Sequence, residues 1–460
     1  MKLLRLPAAP LVLLVFLLSA CTLRPQPAGP PPPATATAPT TFMKDGGWCW
    51  YEDPRAIIHN GKLVIGAISG VSGDIRVGVY DLDREEPIGV AVLDHDFELD
   101  DHNSPVFFVR PDGSLVAVWA EHGKKNQHYF SISSPDDYLK WGERQVFVHD
   151  YPVPEGAKWM GVTYTNLYRA GPGGLLHNFF RSGDTYNPSF HTSPDGGRSW
   201  TAHTHLITDE VDGRQRPYAR YTQVTDTTVG ISFTDGHPRV YGNSIYYVNF
   251  DGRSFFNADG TKVKDLAAGP LSTTEAEELY VGSKGSKSST TPGSVPGAAW
   301  TCELEADAAG RPYVGYTLYR RSGDIRFRLA NWTGEHWVDR EIAHAGPGLY
   351  AQEDSYSGLL ALDPQQPEHV FISTPVDPGT GAPTGGGAHE IYAATVTAAD
   401  STATIDWRPL TRGSAHKNIR PIVVSGGGYR VLLWLGGGPW RNFQDYETDV
   451  LGYVLDRPPL

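Results

Sequence analysis

Short strands of alternating apolar and polar residues, cut by tight turns, recur from about residue 42 to the end of the chain, and this cadence limits the fold more than any other feature. "KLVIGAIS", "IRVGVYDL", "SLVAVWA", "TVGISFT", "SIYYVNF", "PYVGYTLY" and "YRVLLWLG" follow a period of 2, with turns such as "PDG", "FDG" and "GGG" between them. No amphipathic helix longer than about two turns interrupts the series. The segments also repeat: "SGDIRVGVYDLD" (72–83) and "SGDIRFRLANWTG" (322–334) share their first five residues, and "SGDTYNPSFHTSPDGG" (182–197) shares the SGD and a following strand. Such self-similarity is the pattern of stacked four-stranded units, none of which buries a complete core alone.

Composition agrees with an all-β chain. Its 460 residues include 51 Gly, 36 Pro, 23 Tyr and 12 Trp but only 3 Met, a mixture suited to strands and tight turns. One turn is sharper than the rest. "SPDGGRSW", with Ser193, Asp195, Gly197 and Trp200, resembles the Asp-box hairpin of sialidase-like propellers, in which Asp bonds the turn's backbone donors, Gly turns the chain and Trp packs between blades. "SPDDYLKW", with Ser134, Asp136 and Trp141, is a degraded copy. At roughly 40 to 60 residues per blade, residues 42–460 accommodate six to eight blades, and the expectation is a seven-bladed β-propeller of four-stranded antiparallel blades.

The first residues carry a different message. "MKLLRLPAAPLVLLVFLLSAC" has Lys2 and Arg5 ahead of an apolar stretch too short to span a bilayer, and reads as a secretory signal over residues 1–20. Its "LSAC" ending resembles a bacterial lipobox, which makes Cys21 the expected lipidated residue and places the exported chain on a membrane, at the cell surface or outer membrane. Residues 21–41 then form a Pro-rich tether. Cys49 and Cys302 remain, as one long-range disulfide or as two buried thiols. The net charge of −13 and the lack of a basic stripe argue against nucleic acid as a partner, yet leave room for a local cationic cleft that takes an acidic glycan.

The chemistry-bearing residues cluster in consecutive repeats. "LDDHNSP" presents His102 and Asn103, and "AEHGK" presents His122 at the far end of the next strand pair, so one hairpin brings both histidines to the same end. Tyr164 in "TYTN" and Arg181 in "FFRSGD" flank the following hairpin in the same way. "RPYARYTQ" adds Arg216, Tyr218, Arg220 and Tyr221, and "FTDGHPR" adds Asp235, His237 and Arg239. No GxSxG, HExxH, phosphate loop or dinucleotide fingerprint is present, and no facing carboxylate pair stands out. His, Tyr and Arg suit proton abstraction next to a carboxylate, with Arg neutralising the charge.

The order of these motifs, from "DGGWCWYEDPRAI" through "DDHNSP", "EHG", "TYTN", "RPYARYTQ" and "FTDGHPR" to "DYETDVLGYVL", resembles the BNR-repeat propellers that include ulvan lyases and related lyases and rhamnosidases of rhamnose–glucuronate linkages. The resemblance implies a monomeric polysaccharide lyase acting by β-elimination on an acidic, uronate- and rhamnose-containing glycan and releasing a 4,5-unsaturated uronate. It implies Tyr164 and His102 as the base and acid pair, in either order, His122 as their positioning partner, and Arg181 as the uronate clamp. Tyr221 is the implied further substrate-site residue, and Arg216, Arg220 and Asn103 are expected to bind substrate beside it. No cofactor is required; an accessory structural zinc or calcium would fall at His237, although the cysteine that accompanies such a histidine in some relatives is missing here. The alternatives are an α-L-rhamnosidase-type hydrolase on the same scaffold and a non-catalytic glycan-binding surface lipoprotein.

Overall fold

The computed structural model describes residues 38–151, 160–209, 216–285, 293–397 and 404–458. The expected signal sequence, Cys21 and residues 21–37 of the tether lie outside them. The described chain is all-β and forms a seven-bladed propeller. The first blade is Ala56–His59, Lys62–Ile68, Ile75–Asp81 and Glu86–Asp94, paired in that order, and five more blades follow the same antiparallel path. The fourth departs from it: Lys262–Asp265 extends the sheet, and Glu277–Tyr280 pairs with Ile245–Phe250.

The seventh blade closes the ring. Its inner strands Ile419–Gly426, Tyr429–Gly436 and Asp449–Asp456 come from the C-terminal end, whereas its outermost strand is Thr40–Met43, with Thr40 opposite Gly452. Joining the two ends of the chain in one sheet removes the open seam at which a propeller would otherwise fray.

Immediately after the closing strand, "GGWCWYEDPR" (46–55) crosses the central channel. Trp48, Cys49, Trp50, Tyr51 and Glu52 are all buried. Gly47 must be glycine, because a Cβ there would lie 2.4 Å from the Tyr446 ring. The segment is bonded to blades all round it: Phe107 N–H donates to the Pro54 carbonyl, Leu167 N–H to that of Asp53, Asn166 Nδ2 to that of Tyr51, and Arg220 to that of Trp50. Tyr51 Oη donates to the Thr301 carbonyl, and Trp48 Nε1 to that of Arg420. This plug divides the channel into two cavities. Cys49 and Cys302 are separate buried thiols, which resolves the choice the sequence left open.

Below the plug's aromatic residues, Arg420 donates to Asp101 Oδ2 at 2.5 Å, with 1% and 0% of the two side chains exposed. Removing Arg420 leaves the buried Asp101 carboxylate with His102 Nδ1, 3.2 Å from its other oxygen, as the remaining charged partner. Arg420→Met is therefore expected to lower the unfolding free energy by about 3–5 kcal/mol, measured by denaturant titration; a loss under about 1 kcal/mol would mean that Asp101 is otherwise neutralised.

A candidate active site on the histidine face of the plug

On one side of the plug lies a cleft of about 560 Å³, walled by Trp50, Tyr51, His102, His122, Tyr164, Arg181, Tyr186, Arg216, Tyr218, His237, Arg239, Trp300, Glu353, Tyr356 and Phe443, with Val240 at its edge. The inner strands of the blades converge here.

Two histidines share one carboxylate. Asp100 caps the short 3₁₀ turn Asp101–Asn103 by accepting the His102 backbone N–H, which turns the His102 ring into the cleft. The hairpin Val106–Val109/Leu115–Trp119, with Val106 opposite Val118, returns the chain so that His122 stacks on His102, ring centroids 3.9 Å apart and 11° from parallel. Asp100 Oδ1 lies 2.8 Å from His102 Nδ1 and Oδ2 lies 3.0 Å from His122 Nδ1. Both rings meet it through Nδ1, so the chemistry each offers the cleft is that of Nε2.

Stacked imidazoles cannot both be cations cheaply. Burial disfavours charge on His102, but Cys49, Asp100 and Asp101 outweigh it and hold its pKa well above the usual value. For His122, burial, the charged His102 and Arg181 outweigh Asp100 and push the pKa down to about 4. His102 touches two carboxylates, with Asp101 Oδ1 at 3.2 Å, whereas His122 touches one. At neutral pH the pair is thus one imidazolium and one neutral imidazole. Asp100 is held well below the carboxylate range, since the two histidines outweigh its burial.

Tyr164 reaches the same place through a β-bulge. In the hairpin Thr163–Ala170/Leu175–Arg181, Thr163 pairs with Arg181 and Asn166 with Phe179, so the register slips across Tyr164 and Thr165. Tyr164 takes φ +62°, a left-handed conformation that costs a non-glycine residue about 1 kcal/mol or more. Its ring lies 5.8 Å from that of His102 and 6.2 Å from that of His122. Burial and Tyr218 raise its pKa well above the phenol value, against the opposing pull of Arg181 and His102. The Arg181 guanidinium stands 5.1 Å from the Tyr164 ring centre and 4.9 Å from that of Tyr218. Among the described residues no carboxylate forms an ion pair with it, and its buried Nε has no hydrogen-bond partner.

The cleft thus brings together His102, His122, Tyr164 and Arg181, and adds Arg216 and His237 to its wall. Three residues expected at the substrate lie elsewhere. Asn103, at the end of the 3₁₀ turn, points away and donates to Glu98 Oε2 at 3.1 Å. Arg220 faces the channel beyond the plug, paired with Asp53 and with Glu303 at 2.6 Å, and lines the opposite cavity. Tyr221, on the alternate face of strand Ala219–Thr225, stacks on Phe179 at 4.8 Å in the core between blades. Tyr218, just ahead of that strand, occupies the wall instead.

Sequence reasoning did not single out Tyr186, Trp300, Glu353, Tyr356 or Phe443, whereas Arg239 of "FTDGHPR" does line the cleft. Phe443 meets the His102 ring edge-on at 5.1 Å, and Gln444 Nε2 donates to Asp100 Oδ2 at 3.1 Å. Both come from the two-stranded hairpin Trp440–Asn442/Asp445–Tyr446, inserted between two strands of the last blade, whose "PWRNFQDYE" punctuation was the available signal. His237 does not fit a zinc ligand. It packs on Trp300 at 4.7 Å with Glu353 3.9 Å away, and among the described residues no group of three potential metal ligands includes it.

The Asp-box hairpin takes its expected form. Asp195 Oδ1 accepts the Arg198 and Ser199 N–H groups, Gly197 has φ +93°, and Trp200 lies between blades against Phe130 and His191. In the degraded copy it is Asp137, one residue later than expected, that accepts the turn's Leu139 N–H.

Solved structures with the same architecture include an ulvan lyase of polysaccharide lyase family PL25 bound to -[GlcA(1-4)Rha3S]-, at TM-score 0.61 and 13% identity over 92% of this chain and 98% of that one. The polysaccharide lyase Uly1 aligns at TM-score 0.54 and 11% identity, covering 88% of this chain and 90% of the other. At such identities the likeness is one of fold. No curated protein matches the sequence. A family-level match is nevertheless direct: residues 67–345, more than half of the chain, match the BNR repeat-containing family, and the protein is a member of it.

Proposed function

We propose that this protein is a polysaccharide lyase that cleaves a rhamnose–uronate linkage of an acidic polysaccharide by β-elimination. The observation that carries the reading is Arg181, a guanidinium with no carboxylate partner among the described residues, set between Tyr164 and Tyr218 beside the histidine pair. A uronate carboxylate is the group such a site lacks. Glycoside hydrolysis calls for two facing carboxylates; among the described residues the lining of this cleft includes one, Glu353, and it is paired with Arg239. The bound oligosaccharide of the PL25 relative, which contains GlcA, agrees with an acidic substrate.

In this mechanism Arg181 neutralises the carboxylate and so acidifies the adjacent C5–H bond. His122, neutral and anchored through Nδ1, takes the C5 proton on Nε2. Tyr164, which remains a phenol, gives its proton to O4 as the C4–O bond breaks and the C4=C5 bond forms. His102, as imidazolium, holds Asp100 and the tilt of the stack. The resemblance had implied His102 in the base and acid pair; the two carboxylates at its Nδ1 favour the charged, positioning role, and His122 takes its place. Solvent then returns the proton from His122 to Tyr164. We also propose that lipidated Cys21 tethers the enzyme to the membrane at which the polymer is met.

Incubating the protein with a panel of uronate-containing polysaccharides should produce a growing ultraviolet absorbance from the conjugated uronate. Release of reducing ends without that chromophore would favour the hydrolase, and no cleavage of any member would favour a binding protein. The pH dependence has a fixed sign. The base is active when deprotonated, so kcat/KM should fall as pH drops through about 4, well below the ~6.5 of an ordinary imidazole. An acid limb near ~6.5 would contradict a neutral, depressed His122.

A further inference from the structure

A second group of histidines lies away from the cleft, between the second and third blades. His128 is on strand Gln127–Ile132, His149 directly follows strand Gln145–Val148, and His191 is on strand Pro188–Ser193. All three are buried, with 1%, 2% and 1% of their surface exposed. None lines the cleft.

Their hydrogen bonding is incomplete in a way that buried imidazoles seldom tolerate. His128 Nδ1 and His149 Nε2 face each other at 2.8 Å, and Asn178 Nδ2 donates to His191 Nε2 at 3.0 Å. The remaining nitrogens, His128 Nε2, His149 Nδ1 and His191 Nδ1, have no partner, and the first two lie on the far side of their rings from the facing pair. One nitrogen from each ring falls within 4.8 Å of the others.

We propose that His128, His149 and His191 form a binding site for one zinc-class divalent ion that staples the second blade to the third. Three imidazoles without a carboxylate suit zinc, copper or nickel rather than calcium or magnesium. At Zn–N distances of about 2.0–2.1 Å the facing nitrogens need to part by only about half an ångström. The His203 ring is 5.4 Å from that of His149, outside the three-histidine group, and its Nε2 lies 3.3 Å from Asp184 Oδ2. Trp200 of the Asp-box stacks on His191 at 4.4 Å and holds its ring. Asn178 connects the group to the catalytic cleft, because its Oδ1 accepts the Asn166 N–H at 3.1 Å, two residues beyond Tyr164 in the bulge.

The test uses full-length protein carrying no histidine tag, reconstituted with zinc and dialysed, with metal measured by plasma emission. About one zinc per chain is expected. The His128→Ala/His191→Ala double variant should retain less than about a tenth of it, and His237→Ala should retain all of it. Cobalt(II) titrated into chelator-treated wild-type protein should give intense visible bands of a tetrahedral nitrogen site, which needs no variant to fold. Wild-type protein that binds neither zinc nor cobalt stoichiometrically would overturn the proposal, as would full zinc binding by a folded double variant.

Discussion

Tyr164→Phe should lower kcat by about a thousandfold while leaving the affinity for substrate within a few-fold of wild type. The substitution removes one hydroxyl and keeps the ring against Tyr51 and beneath Arg181. The strained backbone at φ +62° and the register slip that create the position are unaffected by it. In the proposed mechanism what disappears is the proton for the leaving oxygen, without which C4–O cleavage must expel an alkoxide. Rapid-mixing kinetics on a defined oligosaccharide separate kcat from binding. A loss of less than tenfold would remove Tyr164 from the proton path.

Arg181→Ala should cost on the order of a hundred- to a thousandfold in kcat/KM on a free uronate, and its substrate dependence is the informative part. In the proposed mechanism the guanidinium is required because a carboxylate anion resists loss of the neighbouring proton. A methyl-esterified uronate has no such charge, so the variant should process the ester and the acid at far more similar rates than wild type does. Equal losses on both substrates would mean that Arg181 serves the aromatic wall, stacked between Tyr164 and Tyr218, rather than the carboxylate.

The cleft also reconciles an acidic protein with the acidic substrate proposed for it. A net charge of −13 repels a polyanion at long range, but among the described residues the lining carries Arg181, Arg216 and Arg239 against the carboxylate of Glu353. Association should therefore depend on reaching the funnel, where these guanidinium groups reverse the local sign.

What the sequence revealed of this site follows from hairpin geometry. A period of 2 and a short turn fix register, so His102 and His122, or Tyr164 and Arg181, had to meet at one strand end; the pairings Val106 with Val118 and Thr163 with Arg181 are the result. The same periodicity makes parity errors expensive. Tyr218, Arg220 and Tyr221 stand within four residues, yet one faces the cleft, one the far side of the plug and one the core. Composition could not distinguish them. Phe443 and Gln444 were hidden for another reason, because they reach Asp100 and its histidines only through ring closure. The buried histidines 128, 149 and 191 share no motif, and only the packing of two blades makes them neighbours. The double glycine at 46 and 47 was quoted in the family motif, but its reason, the Tyr446 ring against the plug, is tertiary.

The most direct measurement is product mass after cleavage in heavy-oxygen water. Hydrolysis adds a solvent oxygen across the broken bond, whereas elimination adds none. If His122, Tyr164 and Arg181 act as described, the oligosaccharides will carry no label and will lack one water relative to hydrolysed fragments, with the unsaturated uronate at the new non-reducing end. Incorporation of one heavy oxygen per cleavage would contradict the lyase and point to a hydrolase built on the same propeller.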